Sequence, residues 1–267
     1  MPNVRQDGMD RRYLRRVELE EGQSPLPGGY PFSLPAVREL ESLDFHERVT
    51  YIVGENGVGK STLLEAIAAA WGFNPEGGTL NFNFATAETH SPLHRHIRLI
   101  RGTVRPKDGF FFRAESYYNV ATTIDELDKE PRGGRIIDSY GGRSLHEQSH
   151  GEAFFATFMH RFGPNGLYIL DEPEAALSPV RQLAMLTRIH ELTRSGAQFI
   201  ISTHSPLLMS YPDSRLYNLT AAGIQACRAE ETEHYIVTRE FLNHRERMLS
   251  QLLDGEDEAA GSRHEES

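Results

Sequence analysis

Cysteine is nearly absent from this chain: of its 267 residues, only Cys227 is one. A single thiol excludes an internal disulfide, and ordinary packing is the role we expect for it. Long apolar runs are absent too, and none approaches the roughly eighteen residues that a membrane-spanning helix requires. The N-terminal residues lack the apolar core of a secretion signal. Together these absences predict a cytoplasmic protein.

Positive charge is in deficit, since 28 Lys and Arg stand against 38 Asp and Glu for a formal net charge of −10. This balance argues against a general affinity for nucleic acid, although a local basic face is compatible with it. The length suits one large α/β domain or two small ones. We expect a single domain over residues 1–253, followed by an acidic, disordered tail over residues 254–267.

Local patterns predict several elements whose placement matters for the fold. Residues 36–45 have helical spacing, and residues 238–253 read as one helix. Two further stretches, residues 96–104 and 109–116, read as neighbouring strands of a sheet region separate from the core. Residues 215–229 look like a terminal β-hairpin.

A phosphate-binding loop is the clearest motif. GENGVGKS, residues 54–61, fits G-x-x-x-x-G-K-[ST] and lies between an apolar strand and an apolar helix, the context that the pattern requires. Small residues let backbone N–H groups surround phosphates, and the helix N-terminus adds positive partial charge. We expect Lys60 to bridge the β- and γ-phosphates, Ser61 to ligate Mg²⁺ and Thr62 to hold the α-phosphate. The full set predicted to contact the nucleotide is Gly54, Glu55, Asn56, Gly57, Val58, Gly59, Lys60, Ser61 and Thr62.

An acidic pair follows a second apolar strand, in LYILDEPEAALSP. A parallel strand beside the phosphate loop would deliver Asp171 and Glu172 into the crevice where the nucleotide binds. We expect Asp171 to hold Mg²⁺ through its water shell and Glu172 to polarise the attacking water. The alternative is a strand followed by an acidic helix cap. The second carboxylate favours hydrolysis of a nucleoside triphosphate as the reaction.

A histidine follows a third apolar strand, in FIISTHSPLLM. A histidine at that position could donate to the γ-phosphate and hold the water against Glu172. Taken alone, a histidine at a strand end is more often structural. In the company of the two motifs above, the functional interpretation of His204 is favoured.

The order of GENGVGKS, SHGE, LYILDEPEAALSP and STHS resembles the ATP-binding-cassette (ABC) class of ATPases. The resemblance implies an α/β P-loop NTPase fold: a RecA-like core sheet with flanking helices, a small antiparallel β region and a helical signature subdomain, here about residues 117–165. In that class, a signature peptide reading L-S-G-G-Q or L-S-G-G-E completes the phosphate loop of a second subunit. Residues 148–152 here read QSHGE, which keeps the serine, the second glycine and the final acid. Ser149 and Gly151 are therefore implied to contact the γ-phosphate bound by a second copy.

The resemblance to this class covers roughly residues 12–250. A closer resemblance, to a family of small, stand-alone bacterial ATPases of cassette type, is carried by YPFSLPAV, GENGVGKSTLLEAIA, GFFFRAESYYN, SLHEQSHGEAF and LYILDEPEAALSP together. That family is similar to the ATPase heads of recombination and chromosome-maintenance proteins, without their coiled-coil arms.

Three weaker assignments accompany this resemblance. Members of the class usually carry a metal-sensing glutamine between the phosphate loop and the signature. Glu115 is our substitute for it as a metal contact, and a surface acid is the alternative. Tyr30 could stack on adenine or plug the edge of the sheet. Ser178 resembles the loop that crosses the dimer interface.

A local basic stretch spans residues 89–107, with five Lys or Arg, three His and no carboxylate. One interpretation is a surface for the phosphate backbone of nucleic acid. The interpretation that we favour is one basic face of an antiparallel sheet, balanced by acids elsewhere. The histidines do not have a zinc-binding spacing.

The sequence as a whole predicts a Mg²⁺-dependent ATPase whose two copies sandwich ATP and separate after hydrolysis. The candidate partners are a second copy, DNA and another protein, in DNA maintenance or defence. One rival is the ATPase subunit of a membrane transporter, disfavoured by the divergent signature and the missing glutamine. Another rival is a clamp that binds ATP without hydrolysing it, disfavoured by Glu172.

Overall fold

We describe the fold from a computed structural model of the chain. The structure describes residues 10–20, 28–79, 91–114, 135–142 and 148–261, together with 117, 120–122, 124, 128 and 146.

Nine strands and seven α-helices make up the described fold. The strands are β1 (Leu14–Leu19), β2 (Ser42–Asp44), β3 (Val49–Gly54), β4 (Ile97–Arg101), β5 (Asp108–Arg113), β6 (Gly166–Asp171), β7 (Gln198–Ser202), β8 (Ser214–Thr220) and β9 (Gly223–Cys227). The helices are α1 (Pro35–Arg38), α2 (Lys60–Trp71), α3 (His150–His160), α4 (Pro179–Arg194), α5 (Pro206–Met209), α6 (Glu233–Asn243) and α7 (Arg245–Gly261).

A six-stranded sheet in the order β5-β6-β7-β3-β8-β9 forms the centre of the molecule. The pairs from β5 to β8 are parallel, and only β9 runs antiparallel, as the second strand of a hairpin with β8. A smaller antiparallel sheet has the order β2-β1-β4. This architecture is the predicted α/β P-loop NTPase fold, with its small antiparallel β region.

Two apolar clusters cover the two faces of the central sheet. On β3, Tyr51 points into the cluster that contains α3 and α4, whereas Ile52 points into the cluster that contains α2 and the small sheet. Alternate residues of one strand thus serve both cores, as expected for a parallel sheet buried on both faces. The carboxyl ends of β3, β6 and β7 meet at one edge, because these strands are parallel neighbours.

Two strand predictions need correction. β5 belongs to the central sheet, where Phe111 pairs in register with Ile169, and it does not form a separate sheet with β4. Its run of three phenylalanines is buried on both faces, which is the pattern of a parallel strand in a sheet covered on both sides. Within residues 36–45, α1 is only four residues long, and β2 then pairs with β1 through Val17 and Leu43. Tertiary strand pairing there overrides the local helical spacing.

The C-terminal region also differs from the prediction. The single helix expected over residues 238–253 is two helices, because the chain leaves helical geometry at His244, with φ −131° and ψ 37°. α7 then continues to Gly261, so residues 254–261 are helical where we expected a disordered tail. The glutamates and alanines there are good helix formers. The prediction of disorder considered only the acidic composition of these residues. Across the described residues, no helix combines the length and the apolar character needed to cross a bilayer.

Candidate functional site

The phosphate loop joins β3 to α2 through a backbone that requires glycine. Gly54, Gly57 and Gly59 have φ values of +142°, +82° and +106°. A Cβ atom on Gly54 would lie 2.2 Å from the carbonyl oxygen of Leu219 on β8, so this position excludes any side chain. The loop delivers its backbone N–H groups to the N-terminus of α2, which is a favourable position for an anion.

Lys60 begins α2 and folds back over the loop. Its Nζ donates to the carbonyl oxygens of Gly54 and Glu55, each at 2.9 Å. Burial lowers the pKa of Lys60, while the nearby carboxylates of Glu172 and Asp171 oppose that shift. An ammonium has three hydrogens, so the arrangement leaves one to be donated to a phosphate oxygen.

Ser61, Asp171 and Ser202 form a buried polar cluster beside Lys60. Asp171 Oδ1 accepts from Ser61 Oγ at 3.1 Å and from Ser202 Oγ at 2.5 Å. Burial raises the pKa of Asp171, and the two hydroxyl donors oppose that shift. The oxygens of Ser61 and Asp171 are hard ligands lying close together, a donor set that fits Mg²⁺.

Sequence reasoning missed Ser202, whose pairing with Asp171 depends on register. The two residues face each other across the parallel pair β6–β7, at the carboxyl end of each strand. The available signal was that both apolar strands end on a polar residue, Asp171 in LYILD and Ser202 in FIIS.

Glu172 and His204 lie side by side at the ends of β6 and β7. The His204 Nε2 atom is 3.1 Å from Glu172 Oε1. Glu172 has φ +49° and ψ +54°, a left-handed conformation that is rare for a non-glycine residue, and its N–H is held by Ser202 Oγ at 3.0 Å. Such backbone strain is concentrated at functional sites. Burial and the charge of Lys60 lower the pKa of His204, while Glu172 opposes that shift.

Two further residues that the sequence did not indicate hold His204 in place. The backbone N–H of His204 donates to Glu174 Oε1 at 2.6 Å. Burial raises the pKa of Glu174. On the other side, His204 Nδ1 lies 2.8 Å from Nε2 of His234. Glu174 could have been noticed as the second glutamate of DEPE. His234 gives no local signal, because only tertiary packing brings α6 to this edge of the sheet.

A cleft of about 450 Å³ opens between the phosphate loop and α6. Its lining residues are Glu55, Asn56, His204, Glu233, His234, Val237 and Thr238.

Ser149 is the N-cap of α3. Its Oγ accepts from the Glu152 backbone N–H at 3.4 Å and its backbone N–H donates to Glu152 Oε2 at 3.2 Å, forming a capping box. The Ser149 hydroxyl also donates to Glu152 Oε2 at 2.8 Å. Ser149 is exposed and Gly151 is buried. Glu152 also lies 3.5 Å from Arg181 of α4, which joins the N-terminus of α3 to that of α4. Ser178 caps α4 in the same way, with its Oγ accepting from the Arg181 N–H.

The structure places Tyr30 beside the phosphate loop. Tyr30 is 67% exposed, and its hydroxyl lies 3.3 Å from Thr62 Oγ1. The ring is therefore accessible next to the start of α2, not plugged into the sheet. Glu115, assigned as a metal contact, lies outside the described residues.

The basic stretch is partly engaged within the protein. Arg98 forms an ion pair with Glu18 of β1, with 2.5 Å between Nη2 and Oε1. Arg101 stacks on Trp71 at 4.4 Å and donates to carbonyl groups at the end of α2. The other cations of the stretch are exposed: Arg95, Arg105 and Lys107. Arg98 thus behaves as a balanced sheet residue, as the favoured interpretation expected.

Two family models match overlapping parts of the chain. Residues 32–132 match a model described as "AAA domain", and residues 124–210 match one described as "AAA domain, putative AbiEii toxin, Type IV TA system". The matched segments include the phosphate loop, the acidic pair and His204. With the observed sheet order, these matches give the class of fold: the chain has an α/β P-loop NTPase fold and is similar to ATPases of the ATP-binding-cassette type.

Curated relatives agree with this class. One, named "Putative ribose/galactose/methyl galactoside import ATP-binding protein 2" of Agrobacterium fabrum, is 27% identical over 64% of this chain, which spans only 36% of that relative. The cytochrome c biogenesis ATP-binding export protein CcmA of Legionella pneumophila is 25% identical, over 67% of this chain and 92% of its own. The chromosome partition protein Smc of Mycolicibacterium paratuberculosis is 28% identical, over 57% of this chain and 13% of its own.

Solved structures are more distant. The SMC head domain from Thermotoga maritima is 20% identical, with a TM-score of 0.41, and the match covers 81% of this chain and 99% of that one. A nucleotide-free ATP-binding cassette from an ABC transporter is 17% identical, with a TM-score of 0.46, and the match covers 84% and 94%. At these values, the fold assignment depends on the sheet order and the phosphate loop of this chain.

Proposed function

We propose that this chain binds Mg-ATP at the phosphate loop and hydrolyses it. The observation that carries the proposal is the convergence of Lys60, the Ser61–Asp171 pair and the Glu172–His204 pair at the carboxyl ends of three adjacent parallel strands. A site that only held nucleotide would need its metal ligands, but it would not need a further carboxylate and imidazole in contact with each other.

The proposal assigns these residues to phosphate binding, metal binding or catalysis. Lys60 and the loop N–H groups, with Ser61 and Thr62, bind the phosphates, and Tyr30 packs on the base. Ser61 and Asp171 would hold Mg²⁺, which when bound neutralises phosphate charge. The oxygen of a water molecule attacks the γ-phosphorus while Glu172 accepts a proton from that water. The bond from the γ-phosphorus to the β-phosphate oxygen breaks, giving ADP and phosphate. His204 donates from Nε2 to the γ-phosphate oxygens.

Two copies complete the site in this proposal. Ser149 is exposed at the N-terminus of a helix whose backbone N–H groups are oriented toward an incoming anion. The γ-phosphate bound by one copy is the anion that Ser149 and the Gly151 N–H of the other copy would contact. Ser178 lies at the neighbouring N-terminus of α4, linked through Arg181 and Glu152, so the same face would carry both segments.

The proposed partner beyond the second copy is DNA or another protein. The relatives include a chromosome partition protein, which agrees with a role in DNA maintenance. Other relatives are import and export ATP-binding proteins, so a transporter ATPase subunit is the second candidate. Purification with intact membranes separates the two, because a transporter subunit would copurify with a membrane protein. With one cysteine and ATP as its substrate, the proposed place of action is the cytoplasm.

Phosphate release tests the proposal most simply. We expect steady Mg-dependent release of phosphate from ATP by the wild-type chain and its loss in Glu172→Gln. ATP that binds normally but is never hydrolysed by the wild type, alone or with DNA, would instead support a clamp that only holds nucleotide.

A further inference from the structure

His234 is the one residue outside the motif segments that hydrogen-bonds the imidazole of His204 among the described contacts. It lies at the second position of α6, 30 residues beyond His204, and no motif includes it. Its Nε2 is 2.8 Å from His204 Nδ1, and the ring centroids are 4.8 Å apart. This short contact occupies the ring nitrogen of His204 that does not face Glu172.

The two hydrogen bonds of His204 fix where its proton lies. The Nε2 atom lies 3.1 Å from a carboxylate oxygen of Glu172, which is an acceptor, and this contact favours hydrogen on Nε2. Burial and the charge of Lys60 lower the pKa of His204, which favours the neutral ring. In a neutral ring, the other nitrogen is an acceptor, so Nδ1 must accept from the Nε2–H of His234.

We infer that His234 is a positioning residue that holds His204 in the tautomer with hydrogen on Nε2. The inference rests on the proposed function, because Nε2–H is the group that would donate to the γ-phosphate. Without a donor opposite Nδ1, only Glu172 favours hydrogen on Nε2, so a population with hydrogen on Nδ1 can form. In that population Nε2 carries a lone pair, which repels both Glu172 and phosphate oxygens. His234 acts through His204 and need not touch the nucleotide.

The start of α6 is built to keep His234 in place. Thr232, 1% exposed, caps the helix: its Oγ1 donates to the carbonyl of Ala229 at 2.7 Å and accepts from the N–H of Tyr235 at 3.4 Å. His234 lies inside this capped first turn and lines the cleft with His204. A displacement of α6 would therefore remove the donor from His204, which links the C-terminal helices to the site.

The direct test is the tautomer of His204 in the nucleotide-free protein, read from side-chain ¹⁵N shifts and two-bond ¹H–¹⁵N correlations of a histidine-labelled sample. We expect hydrogen on Nε2 in the wild type. In His234→Phe, which keeps an aromatic ring but cannot donate, we expect a detectable population with hydrogen on Nδ1. His234→Gln can donate through its amide and should restore the wild-type pattern. Hydrogen on Nδ1 in the wild type, or an unchanged tautomer in His234→Phe, would overturn the inference.

Steady-state kinetics add a second readout. In metal sites, mutating the residue that orients a ligating imidazole costs about 10- to 100-fold in affinity or activity, and His234 would orient His204 through the same kind of hydrogen bond. We expect kcat to fall by about that factor in His234→Phe, with KM for ATP nearly unchanged, and to recover in His234→Gln. His244→Phe is the matched control, because His244 lies at the other end of α6 and contacts Glu240. If the wild-type chain did not hydrolyse ATP, the proposed function would be contradicted. The tautomer of His204 would still test the role of His234 in that case.

Discussion

Ser61 and Asp171 are 110 positions apart in the sequence, yet the Ser61 hydroxyl donates to the Asp171 carboxylate at 3.1 Å. The contact joins the first turn of α2 to the end of β6 and brings the phosphate loop and the acidic pair into one site. Lys60, the proposed phosphate ligand, precedes Ser61 in the sequence. Glu172, the proposed acceptor of the water proton, follows Asp171.

The first prediction concerns nucleotide affinity. Lys60→Ala removes the ammonium group that would contact the anionic phosphates of ATP. Hydrogen bonds to charged groups are worth about 1.5–3 kcal/mol each. We expect ATP affinity to fall by roughly 100-fold or more, measured by calorimetry. Arg194→Ala removes an exposed cation at the end of α4 and serves as the control. Normal ATP affinity in Lys60→Ala would remove the phosphate-loop assignment.

The second prediction concerns the loop backbone. Gly54→Ala introduces a Cβ 2.2 Å from the Leu219 carbonyl oxygen, whereas Gly57→Ala meets no atom within 4 Å. Both glycines have positive φ, which costs alanine about 1–2 kcal/mol. We expect Gly57→Ala to lose about that amount of unfolding free energy and Gly54→Ala roughly 3 kcal/mol or more. Equal losses in urea denaturation would show that the approach of β8 to the loop is not as close as described.

How far the sequence predicts the structure differs between the site and the fold. The phosphate loop, Asp171, Glu172 and His204 were identifiable because each polar residue directly follows an apolar strand, and parallel strands bring such ends together. The predicted placement of β5 was wrong because FFF alone does not distinguish a strand of the six-stranded sheet from a strand of a separate sheet. His234 was not identifiable, since α6 reaches His204 only through tertiary packing and has no motif of its own.

A third prediction concerns pH. Burial lowers the pKa of His46, with Arg215 and Arg48 acting in the same direction and Asp213 and Glu47 opposing it. Between its folded pKa and about 6.5, the unfolded chain binds more protons there, so the unfolding free energy falls as pH falls through that window.

The comparison that isolates this effect is His46→Gln against the wild type, since other groups titrate equally in both. We expect the wild type to lose more unfolding free energy than the variant between pH 7 and pH 5, as measured by urea midpoints. The same loss in both proteins would assign the acid sensitivity to other groups.

A fourth prediction concerns DNA. Because Arg98 and Arg101 make contacts within the protein, three exposed cations of the basic stretch remain for phosphates. Each phosphate contact contributes about −0.9 to the slope of log affinity against log salt, so we expect a slope no steeper than about −3 from this face. Filter binding at several salt concentrations measures it. A slope of log affinity against log salt near −5, made shallower by Arg98→Ala, would contradict the internal role of Arg98. If the filter retained no DNA even at low salt, DNA would be ruled out as a partner of this face.

The central claim is that two copies close on ATP and separate after hydrolysis. Glu172→Gln keeps the size and hydrogen-bonding reach of the side chain but cannot take the proton of the attacking water. ATP should still bind through Lys60 and Ser61, so the γ-phosphate stays in place for Ser149 of the other copy. Adding Ser149→Arg should undo the resulting dimer, because a long cation replaces the small hydroxyl at the N-terminus of α3.

Size-exclusion chromatography with light scattering, with and without Mg-ATP, measures this claim most directly. Glu172→Gln should have twice the mass of one chain when Mg-ATP is present and the mass of one chain without it. The Glu172→Gln, Ser149→Arg double variant should keep the mass of one chain under both conditions. A Glu172→Gln protein that binds ATP but keeps its nucleotide-free mass would contradict the account.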